Sequence, residues 1–379
     1  MKKLELIATA TFGLEAVVKR ELQDLGFTDM AVSDGKVSFA AHIKAIPRCN
    51  LWLRSADRLL VKIGEFKALS FDELFEKTKA LPWGDWITHD GKFTVNGKSV
   101  KSQLFSISDC QAIVKKAVVE KLKEKYAVDW FKETGYEFTI QVALLNDIAT
   151  LTIDTSGTGL HKRGYRQEAG EAPLKETLAA AMVQLSYWNK ERVLLDPFCG
   201  SGTIPIEAAM IGRNIAPGLN RKFVSEAWPV VHKSFWKEAR MEAFNAIDQD
   251  TPIRIFASDI DKSAITVASE NAFAAGVDDC IQFTVKPLQK VTLKEKYGVV
   301  ITNPPYGERL GTAKDIMALY QNMGKILNAD PTWSVYVLTA EENFENLYGA
   351  RAHRKRKLYN GNIKVDYYQF YGERPPKRN

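Results

Sequence analysis

The sequence predicts two regions of different fold class: an α+β region over roughly the first 155 residues, followed by an α/β domain with a mostly parallel sheet. In the second region a buried run at 193–195 leads into a glycine turn and an apolar helical pattern. Two further apolar runs end in polar side chains, at Asp259 and at Asn303. Near the C-terminus, Asn360-Gly361 separates two strand-like segments, which predicts an antiparallel hairpin at the end of the sheet.

The first region alternates strand and helix patterns. Residues 137–145 and 148–155 predict a hairpin across Asn146-Asp147. Near the start of the chain, Gly26 ends an amphipathic helix predicted at 13–25. The remaining predicted elements are strands at 4–9, 37–40, 61–66 and 93–96 and helices at 13–25, 48–60, 72–79 and 111–126. This region contains no candidate catalytic residues.

The composition is typical of a soluble intracellular protein. The chain has 379 residues and is 45% hydrophobic, enough for two or three ordinary domains. It lacks an apolar stretch that could span a bilayer and a signal-peptide pattern at its start, so we expect a cytoplasmic location. The four cysteines form no C-x-x-C pair and the five histidines no H-E-x-x-H spacing, so we expect neither disulfides nor a metal site. A net charge of only +6 means that any nucleic-acid surface must come from local clustering.

The glycine turn favours a ligand without phosphate. Asp196 ends the buried run, and Gly200 and Gly202 allow a ligand to approach the backbone closely. A nicotinamide-binding site fits poorly, because Pro205 holds the third glycine position and no acidic strand end follows about 20 residues later. A Walker loop is excluded at this turn because its glycines are followed by Ser201 and Thr203 and not by Gly-Lys-Ser/Thr. S-adenosylmethionine, a sulfonium with an amino-acid tail, suits an acidic glycine turn, and Asp259 could hold its ribose hydroxyls.

The turn after residue 302 predicts a site for an exocyclic base amine. Asn303 Oδ1 and the Pro304 carbonyl can accept hydrogen bonds from the amine, Pro305 keeps the turn extended, and Tyr306 can stack on the base. The alternative is an ordinary strand-ending turn with an incidental tyrosine.

Two sequence strings carry a family resemblance. D-P-F-C-G-S-G-T at 196–203 and N-P-P-Y-G-E-R at 303–309 resemble class I methyltransferases that modify nucleobase amino groups. Residues 156–166 and 172–176 resemble the junction between an RNA-binding THUMP domain and its methyltransferase domain. The whole chain is similar to bacterial THUMP-containing methyltransferases and to the guanine-N2 module of the bifunctional 23S ribosomal RNA enzyme.

The resemblance implies a domain order. Residues 1–60 correspond to a ferredoxin-like segment, 61–155 to a THUMP domain, 156–172 to a linker and 173–379 to a Rossmann-like class I methyltransferase domain. Between the glycine turn and Asp259, residues 213–251 form an insertion whose Trp228 and Trp236 we expect in a small packed subcore. Many such enzymes bind the adenine amine through a side chain after the fourth strand, but the chain has Lys286-Pro287 there, so we expect a backbone contact near Leu288.

The candidate residues fall into three groups. The candidate catalytic residues are Asn303, Pro304, Pro305 and Tyr306. The candidate cofactor-binding residues are Pro173, Asp196, Pro197, Phe198, Gly200, Ser201, Gly202, Thr203, Asp259, Ile260, Asp261, Leu288 and Asn303. The candidate RNA-binding residues, chosen for cationic or stackable side chains, are Lys101, Lys162, Arg163, Tyr165, Arg166, Arg309, Arg354 and Arg356.

Three functions remain open from the sequence. The resemblance favours guanine-N2 methylation of 23S ribosomal RNA with S-adenosylmethionine as cofactor. The four-residue N-P-P-Y motif also allows adenine-N6 methylation of DNA, although a DNA-recognition helix is not recognisable. A non-catalytic RNA-binding factor could keep both domains without using the site.

Overall fold

Two seven-stranded sheets organise the computed structural model, which describes residues 3–166, 174–305 and 313–376. In the order of the chain, the strands and helices are β1 (Leu4–Ala10), α1 (Glu15–Asp24), β2 (Met30–Ser33), β3 (Lys36–Ala41), α2 (Ala45–Trp52), β4 (Ala56–Lys67), α3 (Phe71–Lys79), β5 (Lys92–Val100), α4 (Ile107–Tyr126), β6 (Glu137–Leu145), β7 (Ile148–Asp154), α5 (Glu176–Gln184), β8 (Leu194–Asp196), α6 (Thr203–Gly212), α7 (Lys233–Asn245), β9 (Ile255–Asp259), α8 (Lys262–Ala275), β10 (Ile281–Val285), β11 (Val299–Thr302), α9 (Ala313–Leu327), β12 (Ser334–Thr339), α10 (Phe344–Tyr348), β13 (Arg354–Asn360) and β14 (Ile363–Phe370).

The N-terminal sheet has the order β2-β3-β1-β4-β7-β6-β5. Its β6–β7 hairpin turns at Asn146 and Asp147, which both have positive φ, as the sequence predicts. Strand β4 pairs with β1 on one side and β7 on the other, so the ferredoxin-like and THUMP segments share one sheet. The expected boundary between residues 60 and 61 lies inside that strand.

One predicted helix is wrong over half of its length. We predicted a helix at 48–60, but α2 ends at Trp52 and residues from Ala56 onward form β4. Leu59 and Val61 belong to the core under the N-terminal sheet, whereas Leu60 is buried outside that core and Arg58 and Lys62 stay partly exposed, which is the period of a strand. Pairing with two neighbouring strands outweighs the local helical spacing.

The insertion packs onto the N-terminal region. Trp228 stacks on Phe138, with ring centroids 4.8 Å apart, and both belong to the core under the N-terminal sheet. Trp236 stacks on Phe223 in the same core, and α7 packs against α2. The tryptophans are therefore packed and buried as expected, but they belong to the core of the N-terminal region and do not form a small subcore of the insertion.

The C-terminal sheet has the order β10-β9-β8-β11-β12-β14-β13. Strands β8 to β12 run parallel, and the β13–β14 hairpin adds antiparallel strands at one edge, as the sequence predicts. Strand order reverses between β8 and β11. Open α/β sheets bind ligands in the crevice at the carboxyl ends of the strands where the strand order reverses. In this protein that crevice lies at the ends of β8 and β11. In the described residues, no helix is long and apolar enough to cross a membrane.

Candidate active site

Strand β11 delivers the candidate catalytic turn to this crevice. Its four residues are buried, and Asn303, Pro304 and Pro305 follow directly. Among the described residues, the buried Asn303 Oδ1 has no hydrogen-bond partner. An acceptor left unsatisfied in a protein interior is costly unless a ligand pairs with it. Tyr306 and Arg309 lie outside the described residues.

The far end of the turn is held from helix α9. The Tyr320 hydroxyl lies 3.4 Å from the Pro305 carbonyl oxygen and 2.9 Å from Thr339 Oγ1. Tyr320 and Thr339 are both fully buried. Sequence reasoning missed these two residues, since neither belongs to a recognisable motif.

The glycine turn joins β8 to α6. Gly200 has φ +51, and a Cβ there would meet nothing within 4 Å, so the backbone leaves open space on that side. The Gly200 amide donates to Asp259 Oδ2 at 3.0 Å, while Asp261 N donates to Asp259 Oδ1 at 3.0 Å. Asp259 therefore fixes the glycine turn against β9, a structural role that its position at a strand end did not indicate.

Gly202 has a different role from Gly200. It has φ +82, and a Cβ there would lie 3.1 Å from the Ala268 Cβ on helix α8. The structure places it between α6 and α8 and not on the cavity wall, so its lack of a side chain serves helix packing.

Asp196 is the most deeply buried carboxylate of the site, only 1% exposed. Its Oδ1 accepts hydrogen bonds from Thr302 Oγ1 at 2.7 Å and from Phe198 N at 3.2 Å. Its Oδ2 has no partner among the described residues. Burial raises the pKa of Asp196 to about 7, and the charge of Asp259 acts in the same direction. A cation placed against Oδ2 would favour the ionised carboxylate.

These elements enclose a cavity of about 750 Å³. Its lining residues are Leu174, Asp196, Pro197, Phe198, Cys199, Gly200, Ser201, Thr203, Ile204, Asp259, Ile260, Asp261, Ser263, Ala264, Val267, Lys286, Pro287, Leu288, Gln289, Asn303, Pro304, Pro305 and Leu319. Of the predicted cofactor-binding residues, only Gly202 and Pro173 are not in this wall, and Pro173 lies outside the described residues.

Several cavity residues were not predicted. They include apolar side chains from three helices, Ile204, Val267 and Leu319, together with Cys199 and Gln289. Apolar residues on helices look like core residues in a sequence, so no signal distinguished them. Gln289 follows β10, where many such enzymes have a side chain that binds the adenine amine. Its side-chain amide was not among the predicted contacts.

The wall suits S-adenosylmethionine in charge and shape. Among the described residues of the wall, three carboxylates, of Asp196, Asp259 and Asp261, stand against one cation, of Lys286. The unpartnered Asp196 Oδ2 matches a positively charged group, and the open Gly200 backbone admits close contact. Apolar Ile204, Leu288 and Val267 can cover a flat adenine ring.

Two predicted RNA contacts are wrong. Arg163 and Tyr165 are only 3% and 2% exposed, so neither side chain can reach a phosphate on the surface. Both bind Glu207 of helix α6: Arg163 Nε lies 3.2 Å from Oε1, and the Tyr165 hydroxyl donates to the same oxygen at 3.2 Å. Arg163 also donates to the Arg54 carbonyl, so this side chain links the N-terminal region to helix α6.

Arg166 likewise makes internal contacts. Its guanidinium donates to Thr203 Oγ1 and to the Leu174 carbonyl, and it pairs with Glu176 at 3.3 Å. Thr203 and Leu174 both line the cavity. The side chain is 11% exposed, so the structure places it as a support for the cavity wall.

The remaining described cations in the RNA-binding group lie nearer the surface. Lys101, Lys162 and Arg354 are exposed, and Arg356 is partly exposed. In the register of the sheet, Arg354 on β13 lies opposite Gln369 on β14, and Gln369 lies opposite Tyr336 in the first half of β12. Because the cavity lies at the carboxyl ends of the parallel strands, Arg354 sits toward the opposite end of the sheet.

Comparison with known families identifies three segments. Residues 163–369 match a family model described as an RMKL-like methyltransferase domain. Residues 5–60 match the RlmL ferredoxin-like domain, and residues 68–154 match the THUMP domain. The predicted domain types and their order agree with these matches.

Relatives match over nearly the full length. YpsC of Bacillus subtilis (strain 168), provisionally named an RNA methyltransferase, is 55% identical over all of this chain and 98% of its own. A solved structure from Listeria monocytogenes str. 4b F2365, described as a predicted N6-adenine-specific DNA methylase, is 53% identical. It covers 98% of this chain and 97% of that one, with a TM-score of 0.94.

A third relative bears on the cofactor. SMU.472, provisionally named a methyltransferase and solved with SAH, is 44% identical over 99% of this chain and all of its own, with a TM-score of 0.94. Together with the composition of the cavity wall, this similarity identifies S-adenosylmethionine as the cofactor. The methyltransferase model covers more than half of the sequence and the relatives match it end to end, so the chain belongs to the RMKL-like methyltransferase family.

Proposed function

We propose that this protein methylates an exocyclic amine of a base in RNA, and that the preferred target is guanine N2 of 23S ribosomal RNA. The observation that carries the proposal is Asn303 Oδ1, a buried atom at the cavity that has no hydrogen-bond partner among the described residues. The preceding residue, Thr302, donates its hydroxyl to Asp196. A hydrogen-bond acceptor in this position needs a donor from the substrate, and a base amine supplies one.

The turn acts on the amine by orientation. An exocyclic amine is a weak nucleophile because its lone pair is delocalised into the ring. Asn303 Oδ1 and the Pro304 carbonyl accept hydrogen bonds from its two N–H groups and so direct the lone pair toward the methyl donor. Pro304 and Pro305 have no backbone N–H that could compete for the Pro304 carbonyl. The Tyr320 hydroxyl contacts the next carbonyl along the turn, that of Pro305.

The chain need not supply a strong base. Bound S-adenosylmethionine supplies an electrophilic methyl group on a sulfonium. The nitrogen becomes acidic as it forms the new N–C bond, and its proton passes to solvent while the sulfonium leaves as a neutral thioether. Asp196, with Oδ2 free for a cation, holds the charged end of the cofactor, and Asp259 offers oxygens to the ribose. Positioning and charge complementarity thus account for most of the rate.

RNA is favoured over DNA by the N-terminal half. A THUMP domain at 68–154 is joined to the methyltransferase domain through shared core and buried linker contacts. The 55% identical Bacillus relative is named an RNA methyltransferase. The resemblance of N-P-P-Y-G-E-R to the guanine-N2 module of the large-subunit enzyme supports the base and the RNA.

Adenine-N6 methylation of DNA is the second candidate. Its support is the description of the Listeria relative as a predicted N6-adenine-specific DNA methylase. Both bases present an amine to the Asn303 turn, so the turn itself does not choose between them.

Transfer of labelled methyl groups followed by nucleoside analysis tests the proposal. The substrates are ribosomal RNA from a strain lacking this gene, transfer RNA and duplex DNA. Label in N2-methylguanosine from 23S RNA is the expected result. Label confined to N6-methyladenine in DNA would overturn it and favour the second candidate.

A further inference from the structure

One buried hydrogen bond joins the cofactor side of the cavity to the substrate side. Thr302 Oγ1 donates to Asp196 Oδ1 at 2.7 Å. The two residues end adjacent parallel strands, β11 and β8, and they are 0% and 1% exposed. Water therefore does not compete for this contact, which makes its geometry well defined.

Each partner of this bond adjoins an unpartnered acceptor. On one side, Asp196 Oδ2 has no partner among the described residues. On the other, Thr302 is bonded covalently to Asn303, whose Oδ1 is also buried without a partner in that part of the chain. Thr302 thus lies between the group that faces the cofactor and the group that faces the amine.

We propose that Thr302 is a positioning residue that couples cofactor occupancy to the placement of Asn303, and hence to binding of the base. This inference rests on the function proposed above. It concerns how one half of the site affects the other, so it can fail while that function stands.

The coupling follows from the charge on Asp196. Phe198 N and Thr302 Oγ1 donate to this carboxyl, while Asp259 and Cys199 are the titratable groups near it. Burial raises its pKa to about 7, so charged and neutral forms are both populated near neutrality without a ligand. A bound cation selects the carboxylate, which is a stronger acceptor than the neutral acid. The Thr302 hydroxyl and the backbone that leads to Asn303 are then held more firmly.

The other end of the turn gives a matched contrast. The Tyr320 hydroxyl contacts the Pro305 carbonyl and Thr339 Oγ1, two residues beyond Asn303 along the turn and on β12. Loosening the turn through Tyr320→Phe should slow methyl transfer without altering the effect of the cofactor on RNA binding. Loosening it through Thr302 should change both.

The experiment measures RNA affinity with and without saturating SAH, which keeps the amino-acid ammonium of the cofactor as the cation for Asp196. The probe is a labelled 23S RNA fragment that the wild-type protein methylates. Wild type should bind it at least fivefold more tightly with SAH, a typical coupling between two sites. Thr302→Val should reduce that ratio to about one, Thr302→Ser should restore it, and Tyr320→Phe should keep it. Thr152→Val, which removes a buried hydroxyl from the N-terminal sheet, controls for a general loss of stability and should also keep it.

Other outcomes separate the two proposals. A wild-type ratio of one, or an unchanged ratio in Thr302→Val, overturns the coupling while leaving the methyltransferase assignment intact. Absence of RNA methylation by wild type overturns the proposed function instead. If Thr302→Val does not fold, Asp196→Asn decides, because its amide cannot become charged when the cofactor binds. A wild-type ratio in that variant would contradict the inference.

Discussion

The carboxyl ends of β8 and β11 and the described part of the linker, residues 156–166, both contain polar residues that the sequence marks as functional, yet the structure uses them in opposite ways. At the strand ends, Asp196 and Asn303 each keep a buried acceptor atom without a partner among the described residues. In the linker, Arg163 and Tyr165 bind the buried Glu207. Residue type alone therefore does not separate a site from a structural network, whereas the state of its hydrogen bonds does.

The largest effect that tests this contrast is expected at Asn303. Replacing Asn303 by Ala removes the side-chain acceptor for the amine, and we expect methyl transfer to fall by about a hundredfold or more. SAH affinity, measured by calorimetry, should remain within about twofold. Asn362→Ala, in the exposed turn of the C-terminal hairpin, is the matched control and should behave as wild type. Loss of SAH binding by the Asn303 variant would contradict the assigned role.

The linker should respond in stability instead. Arg163→Ala leaves the fully buried Glu207 carboxylate without its ion pair, which costs about 3–5 kcal/mol in the free energy of unfolding. Denaturant unfolding measures this cost. Lys162→Ala, at the neighbouring exposed residue, should change stability by no more than about 0.5 kcal/mol. If the Arg163 variant were as stable as wild type but bound RNA poorly, the original prediction of an RNA contact would be restored.

These two sites also show what the sequence could and could not predict. The sequence predicted that the glycine turn and the Asn303 turn lie together, because the carboxyl ends of parallel strands meet at one edge of the sheet, and both turns line the cavity. The linker residues were misassigned because their partner, Glu207, lies 44 positions away from Arg163 and is invisible to local pattern. The helix at 48–60 failed for the same reason, since β4 is fixed by its pairing with β1 and β7.

An intermediate effect is expected in the pH dependence of cofactor binding. The pKa of Asp196 is about 7, raised by burial from an ordinary 3.8, so the carboxylate is lost as the pH falls through 7. Affinity for the cationic S-adenosylmethionine should then fall by up to about tenfold per pH unit below that value. In the free protein the sign is reversed: this carboxyl contributes less to stability as the pH rises from about 4 to about 7, because the folded state holds the proton more tightly.

Asp196→Asn should abolish this dependence. Calorimetric titrations from roughly pH 5.5 to roughly pH 8.5, which spans the transition, would show a flat profile for the variant. Asp261→Asn is the control, because a hydrogen bond from Ser263 lowers the pKa of Asp261 and keeps it ionised throughout this range. A wild-type slope in the Asp196 variant would mean that another group titrates.

The smallest effects concern the surface. With Arg163 and Tyr165 buried, Lys101 and Lys162 are exposed cations that can still contact phosphate. Replacing either by Ala should weaken RNA binding a fewfold and reduce the salt dependence of log K by about one. Lys237 on α7, an exposed cation outside the predicted group, serves as the control. A change in affinity without a change in salt slope would show that the side chain acts through the fold, as the linker arginines do. The residue would then be structural, like Arg163, and not a contact to phosphate.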